Sequence, residues 1–242
     1  MIISELLTEA IGLLENSSDS ARLDAEVLLC HLLQKDRAYL ITWPEKNIDS
    51  ATVETYRQLI QRRQTGEPIA YITGQREFWS LNLNVNQHTL IPRPETEDLV
   101  EYLLEHYPAE RAMKLADLGT GSGAIALALA SERPEWQIIA TDQTAEAVKM
   151  AEHNATQLKL HNIEFRQGSW FQPLANEPFD IIVSNTPYIA EQDEHLTQGD
   201  VGFEPQTALS SGSEGLDDIR QIVDQDRYPN QSDGFVNVYS TG

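Results

Sequence analysis

The chain has 242 residues, 40% of them hydrophobic, which is enough for one large domain or for a small domain and a larger one. Acidic residues outnumber basic residues 38 to 17, and the formal net charge of −21 argues against a protein that binds mainly DNA or RNA. One cysteine, Cys30, excludes an internal disulfide, and no apolar run is long enough to cross a membrane, so we expect a cytoplasmic protein.

The first part of the chain predicts a small bundle of helices. Apolar residues recur at helical spacing over residues 3–15 and 20–34, and residues 50–65 predict a third helix that ends before Gly66. No strand pattern interrupts them. We therefore expect an all-α domain over residues 1–75.

The next segment has the alternation of a half-buried strand. Over residues 78–91, aliphatic side chains alternate with asparagines. We expect residues 76–92 to form a β-hairpin that links two domains, and a helix to follow the two prolines after it.

From residue 113 strands alternate with helices, and this pattern specifies a mostly parallel sheet with helices on both faces. In chain order we predict a strand at 113–119, a helix at 122–132, a strand at 137–142, a helix at 144–158, strands at 163–168 and 179–185, a helix at 216–225 and a strand at 234–239. Ligands bind such sheets beyond the carboxyl ends of the strands. We therefore expect an α/β domain over residues 93–242 with its site at those ends.

A glycine-rich segment follows the first strand of this domain. Glycines permit a tight turn and let the backbone approach a ligand closely. Asp142 ends the second strand, where a carboxylate can accept hydrogen bonds from both hydroxyls of a ribose. Asp117 precedes the glycines, and an acid there favours S-adenosylmethionine, which has a cationic amino-acid group, over NAD. Trp170 follows the third strand and suits either an adenine face or the core.

The fourth strand ends in Asn185, Thr186, Pro187 and Tyr188. A planar NH₂ group is a poor nucleophile, because its lone pair is delocalised, and acceptors on its two N–H groups would aim the nitrogen at a methyl sulfonium. The side-chain carbonyl of Asn185 and the backbone carbonyl of Thr186 are suitable acceptors, and Tyr188 can pack on the flat face. A strand-ending turn is the structural alternative. The tyrosine and the nearby glycine segment favour a site that methylates an amide or amine.

Five segments, REFWSLNL, LIPRPETE, LADLGTGSGAIALALA, IVSNTPYI and GDVGFEPQTAL, together resemble the release factor glutamine methyltransferases of the HemK/PrmC type. The resemblance runs from the N-terminal helices to about residue 236. It implies a helical domain that holds the substrate protein, a Rossmann-like methyltransferase domain and S-adenosylmethionine as cofactor. The implied reaction methylates N5 of the glutamine in the GGQ motif of class-1 peptide chain release factors. We expect a monomer without a metal, nucleic-acid or membrane partner.

The resemblance and the residue chemistry together predict two sets of site residues. The residues expected to bind the cofactor are Asp117, Gly119, Thr120, Gly121, Ser122, Gly123, Asp142, Trp170 and Asn185. The residues expected to hold the glutamine amide are Asn185, Thr186, Pro187 and Tyr188, with Asn185, Pro187 and Tyr188 as catalytic residues.

The chain departs from the family pattern at a few positions. Thr186 replaces the first proline of Asn-Pro-Pro-Tyr, Ser169 replaces an acid, and Gly202 replaces an arginine. The family fold also has two strands beyond the fifth, so the methyltransferase domain is expected to be truncated at its C-terminus.

Two alternatives stay open. A DNA adenine-N6 methyltransferase would present a similar tetrapeptide to the exocyclic amine of a base, although the negative charge and the lack of a basic reading segment argue against it. A truncated chain could also bind the cofactor or the release factor without turnover.

Overall fold

The computed structural model describes residues 1–174, 177–197, 199–225 and 235–237. The chain divides into two compact units, Met1–Gly74 and Gln75–Gly242. Each unit has its own hydrophobic core. The division assigns the β-hairpin to the second unit.

The first unit is a helical bundle, as the sequence predicts. Its helices are α1 Ile3–Leu14, α2 Ala21–Leu33, α3 Arg37–Thr42, α4 Ser50–Gln64 and α5 Ile69–Thr73. Leu6, Leu28 and Ile60 from the three long helices are almost completely buried in its core. Buried Tyr56 donates a hydrogen bond to the carbonyl of Ala25 at 2.8 Å, so the phenol's polar atom is satisfied inside the core. The three long helices match the predicted ones, and α3 and α5 were not predicted.

The hairpin differs from its predicted position. Its strands are β1 Gln75–Phe78 and β2 Leu81–Asn84, antiparallel, with Phe78 opposite Leu81. The strand predicted over residues 78–91 is therefore wrong in its bounds. The turn consists of Trp79 and Ser80 with φ of 51° and 59°. Such two-residue turns usually contain asparagine or glycine, so the sequence gives no signal for this one.

The second unit contains the predicted parallel sheet. Its strands are β3 Lys114–Leu118, β4 Gln137–Asp142, β5 Ile163–Gln167, β6 Ile181–Ser184 and β7 Phe235–Asn237, in the spatial order β5-β4-β3-β6-β7. All neighbouring pairs are parallel. The strand order reverses at β3, which has β4 on one side and β6 on the other. A ligand is therefore expected outside the carboxyl ends of β3, β4 and β6.

Helices cover both faces of this sheet, as predicted. They are α6 Glu97–His106, α7 Ala124–Glu132, α8 Ala145–Leu158 and α9 Asp217–Gln225. Successive strand residues point to opposite faces. Leu115 accordingly packs in one core cluster with residues of α6 and α7, and Ala116 packs in the other with Ile222 of α9. Within the described ranges, no helix has both the length and the apolar composition to span a bilayer.

Candidate functional site

The glycine-rich segment after β3 makes a turn that other residues would adopt only under strain. Gly119, Gly121 and Gly123 have φ of 77°, 58° and 87°. A Cβ at Gly119 would lie 3.2 Å from the Trp170 ring, whereas a Cβ at Gly121 would meet nothing within 4 Å. The backbone at Gly121 therefore borders open space, where a ligand can approach it.

Asp142 lies at the end of β4 beside this turn. Its Oδ2 accepts a hydrogen bond from the N–H of Gly121 at 3.0 Å. Its Oδ1 accepts from the N–H and the hydroxyl of Thr144 at 2.9 and 2.8 Å. A carboxylate has about four lone-pair positions. One position on Oδ2 remains for a ribose hydroxyl, and rotation of the Thr144 hydroxyl would free a second.

A cleft opens between the glycine turn and the end of β4. Six of the predicted site residues line it: Gly119, Gly121, Asp142, Trp170, Asn185 and Pro187. The other lining residues are His88, Thr89, Leu90, Gln143, Thr144, Gly168, Ser169, Pro205, Thr207 and Ala208.

The other predicted cofactor residues are buried behind this surface. Asp117, Thr120, Ser122 and Gly123 are all buried and are not part of the cleft lining. The Thr120 hydroxyl donates to Asp117 Oδ2 at 2.6 Å. Burial raises the pKa of Asp117 to about 7, and the nearby Asp142 charge also raises it. These residues support the turn, and a direct contact of any of them with a ligand stays a prediction.

Trp170 lies at the boundary between cleft and core. Its φ is 46°, and its backbone carbonyl accepts a hydrogen bond from the Thr141 hydroxyl at 3.3 Å. Its ring lines the cleft near Gly119 and also packs against the core cluster that contains Phe171. The two interpretations of this residue are therefore compatible, and its contact with an adenine stays a prediction.

The predicted tetrapeptide begins directly after β6. The Ser184 hydroxyl donates to the carbonyl of Leu118 at 2.7 Å, which ties the end of β6 to β3. Asn185 is half-buried, and its Nδ2 donates to the Thr96 hydroxyl at 3.4 Å. This orientation leaves Oδ1 of Asn185 available as an acceptor. Thr186 is buried, whereas the Tyr188 side chain is 41% exposed and can contact a bound partner.

A second, larger cleft of about 610 Å³ adjoins the tetrapeptide. Thr186 and Tyr188 line it, and so do Asp193, His195 and Glu214. Three residues, Leu90, Asn185 and Ala208, line both clefts. Asn185 therefore lies where a ligand of the smaller cleft and a ligand of the larger cleft would meet.

The sequence analysis missed an ion pair beside these clefts. The Glu204 side chain has no exposed surface, and it accepts a hydrogen bond from the N–H of Ile91 at 2.9 Å and pairs with the Arg93 guanidinium. Burial raises the Glu204 pKa, while the Arg93 charge opposes that shift. Both residues lie in segments that the sequence analysis singled out, LIPRPETE and GDVGFEPQTAL. Their contact spans 111 residues, and no local pattern encodes it.

Two family models match the chain, one to each unit. The model described as the PrmC N-terminal domain matches residues 5–74, and the model described as the methyltransferase small domain matches residues 96–203. The release factor glutamine methyltransferase of Shewanella oneidensis is 53% identical over 234 residues, which are 97% of this chain and 82% of that protein. The one of Escherichia coli K12 is 50% identical over 230 residues, which are 95% of this chain and 82% of that protein.

Solved structures similar to the chain include the hMettl16 catalytic domain in complex with MAT2A 3′UTR hairpin 1. The TM-score is 0.53 at 15% identity, and the match covers 84% of this chain and 74% of that one. The same catalytic domain in complex with hairpin 6 gives a TM-score of 0.51 at 16% identity and covers 76% of this chain and 66% of that one. At these identities the likeness shows a shared fold only.

Proposed function

The chain belongs to the family of release factor glutamine methyltransferases, which are S-adenosylmethionine-dependent enzymes, and we propose that it methylates N5 of the glutamine in the GGQ motif of class-1 peptide chain release factors. One observation carries the proposal. Asn185, an amide with a free acceptor oxygen, lines both the smaller cleft and the larger one. A residue in that position can hold a planar NH₂ group against a methyl donor.

The smaller cleft fits the cofactor. The backbone at Gly121 is open to it, Asp142 has acceptor capacity for a ribose hydroxyl, and the Trp170 ring forms part of the wall. When bound, S-adenosylmethionine would supply an activated methyl group with a neutral thioether as leaving group, and the Gly121 backbone, Asp142 and the Trp170 ring would hold it in the smaller cleft.

The protein's part in this reaction is to position the acceptor amide. Asn185 Oδ1 and the backbone carbonyl of Thr186 accept hydrogen bonds from its two N–H groups. Correct orientation of this kind supplies a large share of rate enhancement in such reactions. The Thr96 hydroxyl accepts a hydrogen bond from Asn185 Nδ2, which leaves the Asn185 side-chain oxygen as the acceptor for the substrate amide. The exposed ring of Tyr188 packs on the flat face of the amide.

The larger cleft supports a peptide rather than a nucleic acid as the acceptor. Its volume of about 610 Å³ leaves room for a glutamine side chain and for flanking backbone. Asp193 and Glu214 line it, and Arg93, which also lines it, is already paired with Glu204. A phosphate backbone would meet negative charge here, in a chain with a formal net charge of −21. A DNA adenine methyltransferase is therefore the weaker alternative.

A labelling experiment tests this function. The purified protein is incubated with methyl-labelled S-adenosylmethionine and a class-1 release factor, and mass spectrometry locates the label. The proposal expects one methyl group on the GGQ glutamine. It expects no label on a release factor with alanine at that glutamine, nor on a DNA duplex. Label on the duplex, or on another residue of the release factor, would contradict the proposal.

A further inference from the structure

We infer that Leu90 and Ala208, together with Asn185, form the passage between the two clefts and limit the transferred group to the size of a methyl. The Arg93–Glu204 ion pair holds the two sides of this passage together. The inference rests on the proposed function, in which the smaller cleft holds the methyl donor and the larger cleft holds the acceptor. It assigns a size-selecting role to residues outside the tetrapeptide and the glycine turn.

The passage follows from the lining of the clefts. Among the described residues, only Leu90, Asn185 and Ala208 border both clefts. Asn185 supplies the polar group that holds the acceptor, and the other two residues have apolar side chains. Leu90 and Ala208 are both half-buried and make up the apolar part of the boundary. A group that moves from one cleft to the other must pass these two side chains.

Glu204 connects the two segments that carry them. It accepts a hydrogen bond from the N–H of Ile91, the residue next to Leu90, at 2.9 Å, and it pairs with Arg93. Ala208 lies four residues after Glu204 at the end of a short 3₁₀ turn, and its N–H donates a hydrogen bond to the Pro205 carbonyl at 2.9 Å. Glu204 has no exposed side-chain surface, so its carboxylate is shielded from water, whereas the Arg93 side chain is 30% exposed. Glu204 is therefore a positioning residue that fixes the separation of Leu90 and Ala208.

The passage discriminates by volume. An apolar wall separates ligands that differ by one methylene by a factor of about 10 to 200. The ethyl homologue of the cofactor, S-adenosylethionine, adds one methylene to the transferred group. The parent enzyme is expected to transfer ethyl much more slowly than methyl. The remainder of S-adenosylethionine is identical to S-adenosylmethionine and would contact the same residues of the smaller cleft.

The experiment measures single-turnover rates of methyl and ethyl transfer to a release factor, and the dissociation constants of both donors by calorimetry. Leu90→Ala is expected to raise the ethyl-to-methyl rate ratio about tenfold, because it removes the bulk of the wall. Glu204→Gln keeps a side-chain oxygen that accepts the hydrogen bond from the Ile91 N–H, but it removes the negative charge that pairs with Arg93. It is expected to raise the ethyl-to-methyl rate ratio by less than Leu90→Ala does. Ala208→Val narrows the passage and is expected to lower the ratio. The dissociation constant of S-adenosylmethionine should change little in all three.

Leu209→Ala is the matched control, since Leu209 lines only the larger cleft and its replacement should leave the ratio unchanged. A parent protein that does not methylate the release factor would contradict the proposed function itself. If the parent protein methylates the release factor but its ethyl-to-methyl rate ratio is the same in Leu90→Ala, Glu204→Gln and Ala208→Val, the inferred passage is wrong and the proposed function is unaffected. If Leu90→Ala does not fold, the opposite shifts expected for Glu204→Gln and Ala208→Val decide the matter. If the variants bind both donors more weakly but keep the parent's ethyl-to-methyl rate ratio, the substituted residues have a purely structural role. That result would also overturn the inferred passage.

Discussion

At the scale of single residues, Asp142 is the side chain whose role in the smaller cleft is easiest to isolate. We predict that Asp142→Ala weakens binding of S-adenosylmethionine at least tenfold, because a charge-assisted hydrogen bond to a ribose hydroxyl contributes about 1.5–3 kcal/mol. Calorimetric titration measures the change. Glu146→Ala is the matched control: it removes the same charge from an exposed residue of α8 that is not part of the cleft lining. An unchanged dissociation constant in Asp142→Ala would remove Asp142 from the cofactor site.

Thr186 is the departure from the family pattern closest to the acceptor. Threonine has the same backbone carbonyl as the proline of the family pattern, and Pro187 still favours an extended conformation at residue 186. Proline would also fix φ near −65°. We predict that Thr186→Pro raises the single-turnover rate several-fold with little effect on cofactor affinity, because misplacement of an acceptor by about an ångström can cost about a hundredfold in rate. Thr186→Ala, which does not fix φ, is the control. A slower Thr186→Pro enzyme would show that the site has adapted to threonine.

Asp117 makes the stability of the second unit depend on pH. Burial raises its pKa to about 7 from the ordinary 3.8, so the folded chain keeps this proton to a higher pH than the unfolded chain does. The free energy of unfolding therefore falls as the pH rises from about 4 to about 7, by an amount on the order of a few kcal/mol. Urea unfolding at several pH values measures this trend. The free energy of unfolding of Asp117→Asn, relative to that of the parent, should be higher at pH 7 than at pH 4. The same difference at both pH values would contradict the raised pKa of Asp117.

At the scale of helices and strands, the sequence predicts the sheet well. The strands β3, β4 and β6 are apolar runs with an acid or an amide within one residue of the carboxyl end, and the structure places each within two residues of its predicted bounds. A continuous apolar run or a hydrophobic period predicts an element that is long enough to show the pattern. Such a prediction fails for α3 and α5, which have only six and five residues, too short to show a helical period.

Links between elements could not be predicted from the sequence. Asn154 of α8 donates hydrogen bonds to the carbonyls of Ser122 and Asn84 at 2.9 and 3.0 Å, which joins the glycine turn to the hairpin. Glu204 reaches Arg93 in the same long-range manner. The glycine turn, Asp142 and the tetrapeptide could be located from the sequence because each lies at or just after the end of a strand. It could not reveal that Leu90, Thr96 and the Glu204 ion pair complete the site, since only the fold brings them there.

At the scale of the whole molecule, two units with separate cores suggest a division of labour. Every residue that lines either cleft belongs to the second unit, residues 75–242. We propose that the helical unit, residues 1–74, binds the release factor. Its deletion should leave the dissociation constant of S-adenosylmethionine nearly unchanged and abolish methylation of an intact release factor. If the shortened protein methylated the release factor at the parent rate, the helical unit would not be the substrate-binding unit.

The central claim is that Asn185 holds the release factor's glutamine amide against the methyl donor, and the single-turnover rate of Asn185→Ala at saturating S-adenosylmethionine tests it most directly. The comparison is with the parent enzyme on the same release factor, with the cofactor dissociation constant measured in parallel. We predict that methyl transfer to the GGQ glutamine is nearly abolished, because the amide loses an acceptor that orients it, while the variant still binds the cofactor. Methyl transfer at the parent rate by a folded, cofactor-saturated Asn185→Ala protein would contradict the account.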